Sequence, residues 1–251
     1  RDEKVPRNQG IIMLAVDVSA SMTATDVQPS RIAAATVAAR DFVESIPSGF
    51  EVGLVAFDAS ARVLSPPTDD HAKVAAAIDR LDTGEGTAAG EAIYAALNSI
   101  SASLEDQAAA DGNGNGNGDG REDLAATIVL LSDGTTTVGR PVEDAAQAAD
   151  DAGVPITTIA YGTDEGEVTI QGEVIPVPAD TETMANVAET TGGSAFKAGS
   201  AEQLEGVYQD IQGRVGYTTE QKEIGRWFMF VGILVLFAAL AAAIVWMARL
   251  L

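Results

Sequence analysis

The sequence predicts an α/β fold of Rossmann-like type: a mostly parallel central sheet of about six strands with helices on both faces, then one C-terminal transmembrane helix. Three observations point there. Short apolar runs alternate with amphipathic stretches through residues 11–213. Hydrophobic residues make up 46% of the chain but aromatics only 5%, so the core is built from Val, Ile, Leu and Ala, which suits helices packed on a parallel sheet. Residues 227–248, WFMFVGILVLFAALAAAIVWMA, carry no charge.

Taken in order, residues 1–10 are a lead-in and residues 11–216 the globular domain. Strands are expected at 11–18, 51–57, 126–132 and 154–160, where the apolar runs are continuous enough for burial on both sides, with weaker ones at 61–64 and 194–196. Helices are expected at 30–46, 71–81, 90–104, 142–152, 181–190 and 201–213. Ser30 is placed to cap the first of these, Pro141 suits the first turn of the fourth, and Gly153 and Gly192 mark helix ends.

Two insertions interrupt the alternation. Residues 106–123 contain the tract DGNGNGNGDG, and residues 166–178 read as a hairpin turning near Gly172. The segment DGNGNGNGDGRE also fits the calcium-loop pattern D-x-[DN]-x-[DN]-G-x5-E. An alternating Asn-Gly tract supplies the middle of that pattern automatically, and a strand rather than a helix should follow. The expectation is therefore a solvated insertion without a bound ion. Residues 217–226 form a short tether. Residues 227–248, at about 1.5 Å per residue, suffice to cross roughly 30 Å of hydrocarbon, with Trp227 and Trp246 near the two ends. Residues 249–251 are the tail. The chain begins with Arg1 rather than Met, which suggests a processed or excised start.

Charge excludes some partners. Asp and Glu number 37 against 15 Lys and Arg, a formal net charge of −22 that disfavours nucleic acid and anionic lipid and favours cations. Such a surface also keeps a chain soluble in high salt. With no cysteine there is no disulfide, thiolate ligand or thiol nucleophile, and the one histidine, His71, reads as a surface residue.

The chemistry concentrates at strand ends. IIMLAVDVSASM is a buried strand that runs into Asp17, Ser19 and Ser21, and TIVLLSDG brings Asp133 to the end of another. Thr87 follows the Gly-rich turn GEG just before a helix. Ligands of open parallel sheets collect beyond the carboxyl ends of the strands. Two carboxylates with three hydroxyls are poor ligands for zinc or copper but suit Mg²⁺, with Mn²⁺ or Ca²⁺ as alternatives. A coordination position left to water would accept an acidic side chain from another protein.

DVSAS, the GT of GEGTAAGEAI and the LSDG strand resemble the metal-ion-dependent adhesion site (MIDAS) of von Willebrand factor A (VWA) domains. The resemblance implies that Ser19, Ser21 and Thr87 approach the metal through hydroxyls, while Asp17 and Asp133 contribute directly or through water. DVSASMTATDVQPSR, the stretch YGT…GEVIPVPADTETM and the closing apolar helix are similar to the prokaryotic membrane-bound Bat-type (aerotolerance) proteins. This likeness covers nearly the whole chain. It implies a domain outside the cytoplasmic membrane, membrane helices ahead of it, partnership with sister VWA membrane proteins and a functional link to MoxR-type AAA ATPases.

The rival class is a Mg²⁺-dependent phosphohydrolase of haloacid-dehalogenase type with Asp17 as nucleophile. That chemistry needs a second acid two residues on, where Ser19 stands, and no GxxxxGK[ST] loop is present. A structural membrane protein with a vestigial metal site is the third reading. The preferred expectation is a non-enzymatic, metal-dependent protein-binding module.

Overall fold

The structure, a computed structural model, describes residues 2–6, 9–110, 125–134, 136–170, 173–215 and 217–221. In chain order the elements are β1 (Asp2–Pro6), β2 (Gly10–Asp17), a short 3-10 helix (Ala20–Thr23), α1 (Arg31–Ser45), β3 (Phe50–Phe57), β4 (Ala61–Thr68), α2 (His71–Ile78) and α3 (Ala89–Ala110). There follow β5 (Ala125–Ser132), α4 (Val142–Asp151), β6 (Ile156–Tyr161), β7 (Glu167–Ile170), β8 (Glu173–Pro176), α5 (Thr181–Thr190), β9 (Ala195–Ala198), α6 (Ala201–Val215) and β10 (Tyr217–Gln221).

Residues 7–216 form one unit, a six-stranded sheet in the order β4-β3-β2-β5-β6-β9. All neighbours are parallel except β3 and β4. Every residue of β2 is buried, and its two faces feed two cores as the two-residue period of a strand requires. Ile12, Leu14 and Val16 pack with Ala35, Ala39, Phe42 and Val43 of α1 and Leu204 of α6. Ile11, Met13 and Ala15 pack with Ala92, Ile93 and Ala96 of α3 and Ala145 of α4. Small alanines let those helices approach the sheet closely, and Phe42 stacks on Tyr208 with ring centroids 4.6 Å apart.

The local signals act as expected. Ser30 caps α1 by accepting from the Ala33 N–H at 3.3 Å, and Gly153 and Gly192 take left-handed φ values of 68° and 67° just past α4 and α5. Pro141 stands one residue earlier than expected, at the cap of α4 rather than in its first turn.

Other bounds differ for physical reasons. β4 runs on to Thr68 through Pro66 and Pro67, because it is an edge strand whose register against β3 shifts around Leu54. α3 continues to Ala110, past Leu104 and into the first residues assigned to the insertion. Its added turn is held where Ser103 and Gln107 donate to Glu51 at 3.0 Å each. β7 and β8 form the expected antiparallel hairpin. His71 is half-buried, its ring nitrogen 2.8 Å from the Phe50 carbonyl.

In a separate unit, β1 pairs antiparallel with β10, from Asp2 opposite Gln221 to Pro6 opposite Tyr217, where the sequence reading placed no strands. The Asn-Gly tract, the turn at Gly172 and the apolar stretch 227–248 lie outside the described residues. Among the described residues no helix is long and apolar enough to cross a membrane.

Candidate metal centre

The site is assembled where β2 and β5 end side by side. Asp17 is the last residue of β2, and Val18 keeps the chain on the sheet by donating to the Phe57 carbonyl at 2.8 Å. The Ser19 N–H then turns back to Asp17 Oδ1 at 2.8 Å, an Asp-centred turn that sends the chain into the 3-10 helix. Met22, fully buried, plugs that helix into the core. As a result the hydroxyls of Ser19 and Ser21 lie 2.9 Å apart.

From β5, the Ser132 hydroxyl donates to Asp17 Oδ2 at 2.5 Å and accepts from the Gly134 N–H at 3.0 Å. Gly134 has φ of 98°, and a Cβ there would stand 2.6 Å from the Asp180 carbonyl oxygen, so a side chain is excluded. This turn leaves Asp133 only 3% exposed, with its carboxylate 3.2 Å from Arg31 Nη1.

Thr87 joins through backbone. Its N–H donates to Thr137 Oγ1 at 2.9 Å, and its carbonyl accepts from the N–H groups of Thr137 and Val138, on the loop that begins at Asp133. The hydrogen bonds and charges thus link Asp17, Ser19, Ser21 and Asp133 in one cluster, and bind the Thr87 turn to the same loop. Thr87 is 4% exposed.

Electrostatics favour the protonated forms of the two candidate carboxyl ligands in the metal-free chain. Burial first, and then the charge of Asp133, push the Asp17 carboxyl up to about 7, against the hydrogen bonds of Ser132 and Ser19. Burial raises Asp133 as well, opposed by hydrogen bonding from Ser21 and by the Arg31 charge. Asp26 goes the other way. Burial disfavours its charge, but hydrogen bonds from Arg31 and Thr163 hold it down to about 2. Ionised together, Asp17, Asp26 and Asp133 carry three negative charges against the single positive charge of Arg31. The remainder of two equals the charge of one divalent cation.

The donor set fits a hard cation. Every candidate ligand atom is oxygen, and among the described residues no three His, Cys, Asp or Glu side chains gather as a metal cluster. Beside the two carboxyl groups the site offers the hydroxyls of Ser19 and Ser21 as oxygen donors. Sequence reasoning assigned no role to Ser132, Asp26 or Arg31. Ser132 stood inside the LSDG motif, and Asp26 and Arg31 inside DVSASMTATDVQPSR, so the motifs held them without showing what they touch.

The family model described as von Willebrand factor type A domain matches residues 12–135. The chain is 39% identical over 251 residues to a UPF0353 protein of Mycolicibacterium vanbaalenii, covering 97% of this chain and 72% of that protein. An aerotolerance-related membrane protein from Bacteroides fragilis NCTC 9343 is similar with a TM-score of 0.67 at 21% identity, over 82% of this chain and 98% of that one. Proximal thread matrix protein 1 from the mussel byssus, in a structure with a zinc-occupied MIDAS motif, is similar with a TM-score of 0.61 at 18% identity. That likeness covers 88% of this chain and 50% of the mussel chain. At such identities the structural likenesses speak for the fold.

Proposed function

The chain belongs to the UPF0353 family and carries a von Willebrand factor type A domain, and from that premise we propose that it is a divalent-metal-dependent protein-binding module. Asp17, Ser19, Ser21, Thr87 and Asp133 would hold the cation, Mg²⁺ first, with Mn²⁺ or Ca²⁺ as alternatives. When bound, the cation supplies a Lewis-acidic position that an acidic side chain of a partner protein can occupy.

One observation carries the reading. Two buried carboxyl groups at the ends of adjacent parallel strands lie with paired serine hydroxyls, an all-oxygen cluster whose charge a divalent cation would balance once both carboxyls are ionised. The chain's own residues supply the rest. Ser132 and the Ser19 N–H fix the two oxygens of Asp17, and Arg31 orients Asp133. An Asp17 that is fully buried and held at both oxygens is better suited to ligation than to in-line attack on a phosphoester.

The zinc-occupied MIDAS motif of the mussel protein lends support by likeness of fold, and the description of the Bacteroides protein supports a membrane setting. Residues 227–248 would anchor the chain, with the domain extracytoplasmic. Sister VWA membrane proteins, with a MoxR-type ATPase linked to them, are the proposed associates.

The test is calorimetric titration of the full chain in detergent with Mg²⁺ and Mn²⁺. Wild type should bind one ion, and Asp133→Ala or Ser19→Ala should lose it while keeping the circular dichroism of the sheet. Unchanged affinity in both variants would mean that the ligands are wrongly assigned.

A further inference from the structure

The Arg31 side chain is fully buried, although it is charged and opens α1. Its Nε donates to Asp26 Oδ1 at 2.8 Å, and its Nη2 to Asp26 Oδ2 at 2.7 Å and to the Val177 carbonyl at 2.9 Å. Its Nη1 donates to Asp133 Oδ2 at 3.2 Å. Asp26 is pinned in turn by the Thr163 N–H and hydroxyl at 2.9 and 2.8 Å.

Val177 directly follows β8, and its N–H closes the root of the β7–β8 hairpin by donating to the Gly166 carbonyl at 2.7 Å. β7 also packs against the 3-10 helix that carries Ser21. One guanidinium therefore touches a candidate metal ligand and the base of the hairpin at once.

The surroundings leave this group no slack. A Cβ on Gly162 would stand 2.5 Å from Arg31 Cζ, and one on Gly166 would collide with Arg31 Nη2. A guanidinium is planar, with donors at fixed angles, so it cannot follow Asp133 without disturbing its bonds to Asp26 and Val177.

We propose that Arg31 is a positioning residue that couples the Asp133 side of the metal centre to the β7–β8 hairpin. This inference rests on the metal-binding reading above. Because such coupling is reciprocal, occupancy of the centre alters the hairpin root, and crowding the hairpin root alters metal affinity. The hairpin then reports the state of the site to the surface, where Val174 is 57% exposed.

The test uses the full chain with Mn²⁺ as probe, combining calorimetry with amide hydrogen exchange over residues 166–177. In wild type, Mn²⁺ should change exchange at the hairpin root. Arg31→Lys keeps the charge but not the fork. It should bind Mn²⁺ about tenfold more weakly, as loss of an orienting partner does, and lose the hairpin response.

Gly166→Ala, which substitutes no candidate ligand, reads the same coupling from the other end, even where Arg31→Lys does not fold. It should weaken Mn²⁺ several-fold, whereas Gly206→Ala, with open space beside it, should not. A hairpin unmoved by Mn²⁺ in wild type, an unchanged response in Arg31→Lys, or wild-type affinity in Gly166→Ala would overturn the inference. If Asp17→Ala has meanwhile lost Mn²⁺, the metal-binding reading survives that failure. If Asp17→Ala still binds Mn²⁺ as wild type does, both readings fall.

Discussion

Ser132 and Asp17 end adjacent parallel strands, and the Ser132 hydroxyl donates to Asp17 Oδ2 at 2.5 Å. The same hydroxyl accepts from the Gly134 N–H, so one oxygen ties the β2 carboxylate to the turn that places Asp133. Both residues are fully buried.

Ser132→Ala should therefore act at the metal centre while sparing the sheet. Asp17 loses a donor that orients it and favours its ionised form, so Mn²⁺ affinity should fall by about tenfold. The metal-free fold should lose about 1–3 kcal/mol for the buried groups left without a partner. Calorimetry paired with denaturant unfolding checks both. Wild-type Mn²⁺ affinity in this variant would show that Asp17 needs no such support.

Asp26 should matter for stability more than its place in a loop suggests. Asp26→Asn leaves Arg31 buried with its main charge partner removed, and breaking such a pair costs about 3–5 kcal/mol. Arg40→Ala is the comparison, because Arg40 pairs with Glu44 and Asp79 at half-exposed positions and should cost at most about 1 kcal/mol. Urea unfolding of the two variants should separate them clearly. Equal, small losses would mean that Arg31 finds other partners.

Burial on both faces is what made the sheet legible. β2 and β5 are uninterrupted apolar runs, because a parallel strand covered by helices has no polar side to show. The apolar run of β4 ends at Leu64, whereas the strand continues through Pro66 and Pro67, which its edge position and register shift accommodate. β1 and β10, DEKVP and YTTEQ, have no apolar periodicity to find and are defined by each other.

The candidate ligands were legible because each sits in a local motif at a strand or helix end. Arg31 was not, since its burial depends on Asp26, Gly162, Gly166 and Val177, which only the fold brings together. Ser132 went unassigned because a serine at a strand end has no signature of its own until the neighbouring strand is placed beside it.

Asp17 makes both stability and metal affinity depend on pH. Its carboxyl is pushed up to about 7 in the folded chain by burial and then by Asp133, whereas an unfolded Asp titrates near about 3.9. Between those values the folded state holds a proton that the unfolded state has released. This contribution to stability is therefore present in full below about pH 4 and is lost as pH rises through about 7. Asp26 has the opposite sign. Held down to about 2, it stabilises above about pH 4 and loses that effect only as pH falls toward 2. From pH 5 to pH 8 the raised carboxyls of Asp17 and Asp133 are thus the ones that vary, both with the same sign, and the metal-free chain should melt at lower temperature at pH 8, a slope that Asp17→Asn should reduce. Mn²⁺ reverses the trend, because the ion and the proton compete for the same carboxylate. Below pH 7 the apparent Mn²⁺ affinity should weaken by about tenfold per pH unit for one displaced proton. The rise in melting temperature on adding Mn²⁺ should accordingly be small at pH 5 and large at pH 8. Scanning calorimetry of the full chain across that range, with and without Mn²⁺, measures both slopes. A Mn²⁺ shift of the same size at pH 5 and pH 8 would show that Asp17 does not exchange a proton for the metal.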